Sequence, residues 1–186
     1  MGQMRFVMLG LAGLAGLGAL MSDNDDAQPP EGDEPIDLRG RELISGTDDA
    51  DEIIGPNEDH ALEGRGGDDT LIGGAGDDML FGDNYEERSS GRGGDDLIDG
   101  GAGNDSIWGG WGNDTVIANP GDDLVYLGAD NDLYGDYDPG ADEGNDTIIG
   151  GSGDDVIITN GGRHEVYGDD NPDDAFRSDN GASGHD

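Results

Sequence analysis

Residues 73–81 read "GGAGDDMLF": five of the nine are Gly or Asp, and the last three are apolar. The neighbours repeat the pattern. Upstream stands "GRGGDDTLI" (64–72), and downstream stand "GGAGNDSIW" (100–108), "GGWGNDTVI" (109–117) and "GGSGDDVII" (150–158). With "GGAGDDMLF" as positions one to nine, ten consecutive repeats run from Gly46 through the one that starts at Leu127. A five-residue insertion, Asp136 to Gly140, then shifts the frame, and three more repeats start at Ala141, Gly150 and Thr159.

Position eight is Ile53, Leu62, Leu71, Leu80, Ser89, Ile98, Ile107, Val116, Val125, Tyr134, Ile148, Ile157 and Val166; only Ser89 is not apolar. Position six is Asp51, His60, Asp69, Asp78, Glu87, Asp96, Asp105, Asp114, Asp123, Asp132, Asp146, Asp155 and His164. Position four is Gly67, Gly76, Gly94, Gly103, Gly112, Gly121, Gly144, Gly153 and Gly162 in nine of the repeats. An acidic, Gly-rich chain without fixed structure has no reason to hold this register.

The apolar end of each repeat has strand propensity but is only two or three residues long. The six residues before it must turn, because Gly accepts positive φ and Asp and Asn tolerate it. Two repeats therefore make one flattened coil. The predicted fold is all-β: a parallel β-roll of short strands and Gly/Asp turns, with position eight inward and positions seven and nine outward. No coil buries its own apolar residues, so stability requires stacked neighbours.

Stacked turns lie about one strand spacing apart, roughly 4.8 Å. Each brings a position-six carboxylate and Gly carbonyls, so an unneutralised stack is a column of repelling charges. A hard divalent cation between turns relieves it. Ca²⁺ accepts about 6–8 oxygen ligands in tolerant geometry, whereas Mg²⁺ demands a tighter octahedron. Zn²⁺ and Cu²⁺ favour His or Cys, and the chain has three His and no Cys. The candidate ligands are Asp51, Asp69, Asp78, Asp96, Asp105, Asp114, Asp123, Asp132, Asp146 and Asp155, with backbone oxygens at Gly67, Gly76, Gly94, Gly103, Gly112, Gly121, Gly144 and Gly153.

Because consecutive repeats turn on opposite sides, one column is expected to run Asp51, Asp69, Glu87, Asp105, Asp123, Asp146, His164. The other runs His60, Asp78, Asp96, Asp114, Asp132, Asp155. The best-formed pairs are expected at Asp78/Asp96, Asp96/Asp114 and Asp105/Asp123, followed by Asp114/Asp132 and Asp132/Asp155. The repeat "GDNYEERSS" (82–90) has Tyr85, Glu87 and Ser89 where Gly, Asp and an apolar residue belong. It predicts a bulged loop with weak or absent sites. His60 and His164 mark the fading ends of the roll, as capping repeats do.

The motif resembles the GGxGxDxUx repeat of RTX (hemolysin-type) calcium-binding proteins over roughly residues 46–168. The resemblance implies a parallel β-roll, several Ca²⁺ ions between turns and folding triggered by Ca²⁺ outside the cell. Many such proteins leave by type I secretion on a C-terminal signal, but the tail "NPDDAFRSDNGASGHD" (171–186) lacks an apolar end.

Composition agrees. There are 45 acids against 8 bases, all Arg, a net charge of −37 and 38 Gly. This is the balance of a chain that is disordered until its charge is neutralised. It repels nucleic acid and anionic membranes and attracts cations. About eight Ca²⁺ ions would leave a net charge of about −21, with affinity near that of extracellular modules, roughly 10⁻⁴–10⁻³ M.

Residues 6–21, "FVMLGLAGLAGLGALM", form an uncharged, mostly apolar run after Arg5. Residues 1–22 are expected to be an apolar helix serving as a signal peptide or a short membrane anchor, and the N-terminal segment then contacts membrane. Either way the acidic part leaves the cytoplasm for a secreted, extracellular or membrane-anchored location. Residues 23–45 read as an acidic linker, 46–168 as the roll and 169–186 as a disordered acidic tail.

Catalysis is not expected, since three scattered His and no GxSxG offer no nucleophile–base pair. The sequons at Asn104, Asn113 and Asn145 fall at position five and follow from the repeat. Trp108 and Trp111 pack on the roll, or else offer a sugar-stacking surface. The function predicted is an exported Ca²⁺-binding roll with a structural or interaction role. The alternatives are a surface adhesion or polysaccharide-binding module and an accessory of a secreted enzyme.

Overall fold

The computed structural model describes residues 40–84, 93–135, 144–168, 175–178 and 183–184. The apolar run of residues 6–21, and the helix expected there, lie outside them. The described residues form fifteen short strands and no helix. In chain order they are β1 Leu43–Ser45, β2 Glu52–Ile54, β3 Ala61–Arg65, β4 Thr70–Ala75, β5 Met79–Asp83, β6 Leu97–Ala102, β7 Ser106–Trp111 and β8 Thr115–Ile117. There follow β9 Leu124–Ala129, β10 Leu133–Gly135, β11 Thr147–Ser152, β12 Val156–Thr159, β13 Glu165–Tyr167, β14 Ala175–Ser178 and β15 Ser183–Gly184.

Odd-numbered strands stack in one sheet of eight and even-numbered strands in a second sheet of seven. Every pairing is parallel. The chain crosses from one sheet to the other at every turn, which makes the flattened roll that the repeat predicts. Position eight stays in register through each sheet: Ile53, Leu71, Ile98, Val116, Tyr134 and Ile157 align in one. Leu62, Leu80, Ile107, Val125, Ile148 and Val166 align in the other. These twelve side chains, with Ala118 and Leu127, are the core. Each contributes about 1.5–3 kcal/mol by leaving water, but only where a coil above and a coil below cover it.

The register changes step twice. Neighbouring coils are 18 residues apart at Asp51 and Asp69, but 27 apart at Asp69 and Asp96 and at Asp78 and Asp105. One nonapeptide is passed over between β5 and β6. The loop expected at 82–90 falls largely on residues 85–92, outside those described. The second change, to 23 residues at Asp123 and Asp146, is the five-residue insertion.

Passing over one repeat moves all later turns to the opposite side, which corrects the expected columns. Asp96 stacks on Asp69, and Asp105 stacks on Asp78. The expected Asp78/Asp96 pair is therefore split between the two sides.

The ends also differ from expectation. β1 lies inside the segment read as a linker, with Ile44 aligned to Leu62. The reason is a weak extra repeat starting at Asp37, in which Gly40 holds position four, Glu42 position six and Ile44 position eight. β14 and β15 lie within the tail read as disordered; β14 pairs with β12 and β15 with β13. There Ala175 and Phe176 align with Val156 and Ile157, one residue beyond the 18-residue step.

On the outer face of the eight-stranded sheet, Trp108 is stacked between Phe81 and Tyr126. Its ring centroid is 4.7 Å from Phe81 and 5.9 Å from Tyr126. Both faces of the indole are thus covered by protein.

Candidate functional site

The turns form two columns along the two sides of the roll. One holds Asp51, Asp69, Asp96, Asp114, Asp132 and Asp155; the other holds His60, Asp78, Asp105, Asp123, Asp146 and His164. Within each column the backbone N–H of a position-six residue donates to the Oδ1 of the next coil's position-six Asp. The distances are 2.7 Å for Asp51 to Asp69, 2.8 Å for Asp69 to Asp96, 2.9 Å for Asp96 to Asp114 and 2.8 Å for Asp114 to Asp132. In the other column they are 2.8 Å for both Asp78 to Asp105 and Asp105 to Asp123. Asp123 and Asp155 accept in the same way.

One oxygen of each carboxylate is thereby used. The other is not: Oδ2 of Asp69, Asp78, Asp96, Asp105, Asp114 and Asp132 is buried without a hydrogen-bond partner. These residues are only 1–2% exposed. Desolvation of a charge at such a site costs several kcal/mol. Burial accordingly drives the carboxyls up, against the lowering by the donated N–H: Asp114 to about 9, Asp96 and Asp132 to about 8, Asp105 to about 7 and Asp69 to about 6.

The orphan oxygens face backbone carbonyls. The point where a Cβ on Gly100 would sit is 2.7 Å from Asp105 Oδ2 and 2.9 Å from the carbonyl oxygen of Ala118 on the next coil. At Gly109 the same point lies 2.6 Å from Asp114 Oδ2 and against the carbonyl of Leu127. Two acceptors converging on a space with no donor describe a place for a cation. Among the described residues no three carboxylates or imidazoles cluster around one point. Each cradle is instead one carboxylate plus main-chain oxygens, a donor set suited to Ca²⁺ and poor for softer metals.

The position-four glycines make this stacking possible. Gly112 has φ +120°, and a Cβ there would collide with the carbonyl of Gly94 in the coil below. Where the repeat has Asp130 in place of this glycine, the aspartate adopts φ 80°.

The column ends are closed by protein groups. Asp51 Oδ2 accepts from Thr47 N–H at 2.6 Å and Thr47 Oγ1 at 2.8 Å. His60 Nδ1 lies 2.8 Å from Asp78 Oδ1. At the far end His164 Nε2 faces two carbonyls, Asn160 at 2.9 Å and Gly161 at 2.8 Å, and must donate. Its Nδ1 is 3.1 Å from Asp146 Oδ2. Nδ1 also lies 3.3 Å from the backbone N of Asp146, whose N–H it accepts, and hydrogen bonding to Asp146 is the main cause that raises the ring to about 9. Tyr134 OH donates to the same Oδ2 at 2.8 Å. Asp146, expected as a metal ligand, has its second oxygen against the Tyr134 hydroxyl and the His164 ring.

A second ladder escaped the sequence reading. The N–H of position five donates back to the previous coil's position-five Oδ1: Asp95 to Asp68 at 3.1 Å, Asn113 to Asp95 at 2.8 Å, Asp122 to Asn104 at 2.8 Å and Asp154 to Asn131 at 2.8 Å. The two ladders run in opposite directions, so adjacent N–H groups of one turn are held from above and from below. The signal was present, since position five is Asp or Asn in ten of the thirteen repeats. The three sequon asparagines are members of this ladder, at Asn104, Asn113 and Asn145.

Fold and cradles together define a parallel β-roll whose turns are built to take hard cations. The RTX calcium-binding nonapeptide repeat model matches residues 61–84, 81–116, 90–125, 112–134 and 141–174, more than half of the chain, and the chain belongs to that family. No curated protein and no solved structure matches it.

Proposed function

We propose that this chain is an exported calcium-binding protein whose roll folds on binding Ca²⁺ and then serves a structural or interaction role. The observation that carries the reading is the row of buried, unpartnered Oδ2 atoms opposite backbone carbonyls. Two apolar side chains per coil supply about 1.5–3 kcal/mol each. Two desolvated carboxylates per coil cost several kcal/mol each. Without a cation the coil does not repay its conformational entropy, so metal binding and folding are one event. Ions bind between successive turns within a column, held by position-six carboxylates and main-chain oxygens.

Export rests on the apolar run at residues 6–21 after Arg5. No helix among the described residues is long and apolar enough to cross a membrane. The reading assigns no catalytic step. The polysaccharide-binding alternative draws on Trp108 and Trp111, and of these Trp108 has both ring faces taken by Phe81 and Tyr126.

The test is a Ca²⁺ titration from zero to about 10 mM, which spans the roughly 10⁻⁴–10⁻³ M range of extracellular modules. Far-UV circular dichroism is followed, with Mg²⁺ as control. A cooperative coil-to-β transition with Ca²⁺ alone supports the reading. At about pH 8, where the buried carboxyls are at their most charged, stable β structure in excess chelator, or none at any Ca²⁺ level, overturns it.

A further inference from the structure

The turn between β5 and β6 differs from the others. Its first half is Gly82-Asp83, at the end of β5, and its second half is Gly93 to Asp96, before β6. Position two is Asp83 here, where the turns above have Gly110, Gly128 and Gly151. Asp83 folds into the turn: its Oδ2 accepts the N–H of Trp111 at 2.6 Å, and its Oδ1 is buried with no hydrogen-bond partner. The point where a Cβ on Gly93 would sit is 2.7 Å from that Oδ1 and lies against Asp83 Oδ2 and the carbonyl of Trp111.

Asp96 closes the same turn. It is 2% exposed, its Oδ2 has no partner, and that oxygen meets the carbonyl of Gly109 at the Gly82 Cβ position. Both carboxylates therefore present an orphan oxygen to one segment of the next coil, Gly109 to Trp111.

We infer that Asp83, supplied by the irregular repeat, adds a second carboxylate beside Gly93 and Asp96 and makes their junction with Gly109–Trp111 the tightest site for a hard cation in the roll. This reverses the expectation of weak sites at that repeat, and it rests on the calcium reading above. Ligand charge is a main determinant of affinity at oxygen-ligated sites, and no other described turn adds to its position-six carboxylate a second one with a buried, unpartnered oxygen. Capping the Trp111 N–H accounts for only one of the two oxygens of Asp83. Gly110 belongs to the same arrangement, because a Cβ there would meet Asp83 Oδ2.

The experiment is a Tb³⁺ titration of the full chain, read by tryptophan-sensitised emission, beside a Ca²⁺ titration read by circular dichroism. Asp83→Asn keeps the shape and an acceptor for Trp111 N–H while removing the charge. Asp48→Asn, an exposed aspartate, controls for net charge. The wild type and Asp48→Asn are expected to show an early phase of emission that Asp83→Asn lacks or shifts at least about tenfold to higher Tb³⁺. At saturating Ca²⁺, Asp83→Asn still reaches the wild-type β signal. Coincident Tb³⁺ curves for wild type and Asp83→Asn overturn this inference and leave the calcium reading intact. A wild type that binds neither ion overturns both. If Asp83→Asn never reaches the β signal, Asp83 serves folding rather than one site, and the inference falls.

Discussion

Asp114 Oδ1 accepts the backbone N–H of Asp96 at 2.9 Å, while its Oδ2 is buried without a hydrogen-bond partner. One atom ties two coils together; the other makes that tie unfavourable unless a cation arrives. Asp114→Asn separates the two roles, since an amide still accepts from Asp96 but carries no charge. The metal-free variant is expected to hold more β structure than the wild type. Its Ca²⁺ affinity at the junctions with the neighbouring turns is expected to fall by at least about tenfold, as ligand charge sets affinity in such sites. Circular dichroism in chelator and calorimetric titration with Ca²⁺ check the two halves.

The same carboxylates set the pH response of the metal-free chain. Burial holds Asp96 at about 8, Asp105 at about 7, Asp114 at about 9 and Asp132 at about 8, from an ordinary 3.8. Between those limits the folded state binds more protons than the unfolded state, so stability falls as pH rises. The penalty is absent below about pH 4 and complete above about pH 9. Metal-free chain is therefore expected to show more β signal at about pH 4.5 than at about pH 8. Circular dichroism of decalcified protein across this range is the measurement, and a signal that grows with pH contradicts the prediction.

Glycine requirements along the chain are unequal. Gly112 has φ +120° and faces the carbonyl of Gly94, whereas Gly135 at the end of β10 has nothing within 4 Å of its Cβ position. Gly112→Ala is expected to destabilise the Ca²⁺-saturated roll by about 1–3 kcal/mol from backbone strain, with the collision adding to it. Gly135→Ala is expected to stay within about 0.5 kcal/mol of wild type. Thermal melts in saturating Ca²⁺ compare them directly.

Strand positions and the core were legible because position eight needs only the nine-residue period. Leu71, Ile107 and Val125 are buried as that period requires. Column membership was not legible from the period. It depends on whether one repeat enters the ladder, and counting from Asp69 to Glu87 assumes that it does. Ser89 at a core position was the warning, since a hydroxyl there has no apolar gain to hold the repeat in the stack. Asp83 stayed hidden for a related reason: its importance comes from a turn closed by Gly93, ten residues later, rather than by its own repeat. The closure of Asp146 by Tyr134 and His164 likewise joins residues 12 and 18 positions away, and each of them read separately as a core residue and a fading motif.

That closure gives the last prediction. Tyr134 is fully buried at position eight, and its hydroxyl reaches Asp146 Oδ2 at 2.8 Å. Tyr134→Phe keeps the ring in the core and deletes only the donor. If this end of the column is held by protein groups rather than by metal, the cost is that of leaving a buried acceptor short of a donor, about 1–3 kcal/mol. It persists in saturating Ca²⁺, because no ion replaces the missing hydroxyl. For a domain of this size a loss of that order lowers Tm by about 2–4 °C per kcal/mol. The comparison is the melting temperature of wild type and Tyr134→Phe at several Ca²⁺ concentrations. A constant gap supports closure by Tyr134 and His164, whereas a gap that vanishes as Ca²⁺ rises places an ion at Asp146 after all.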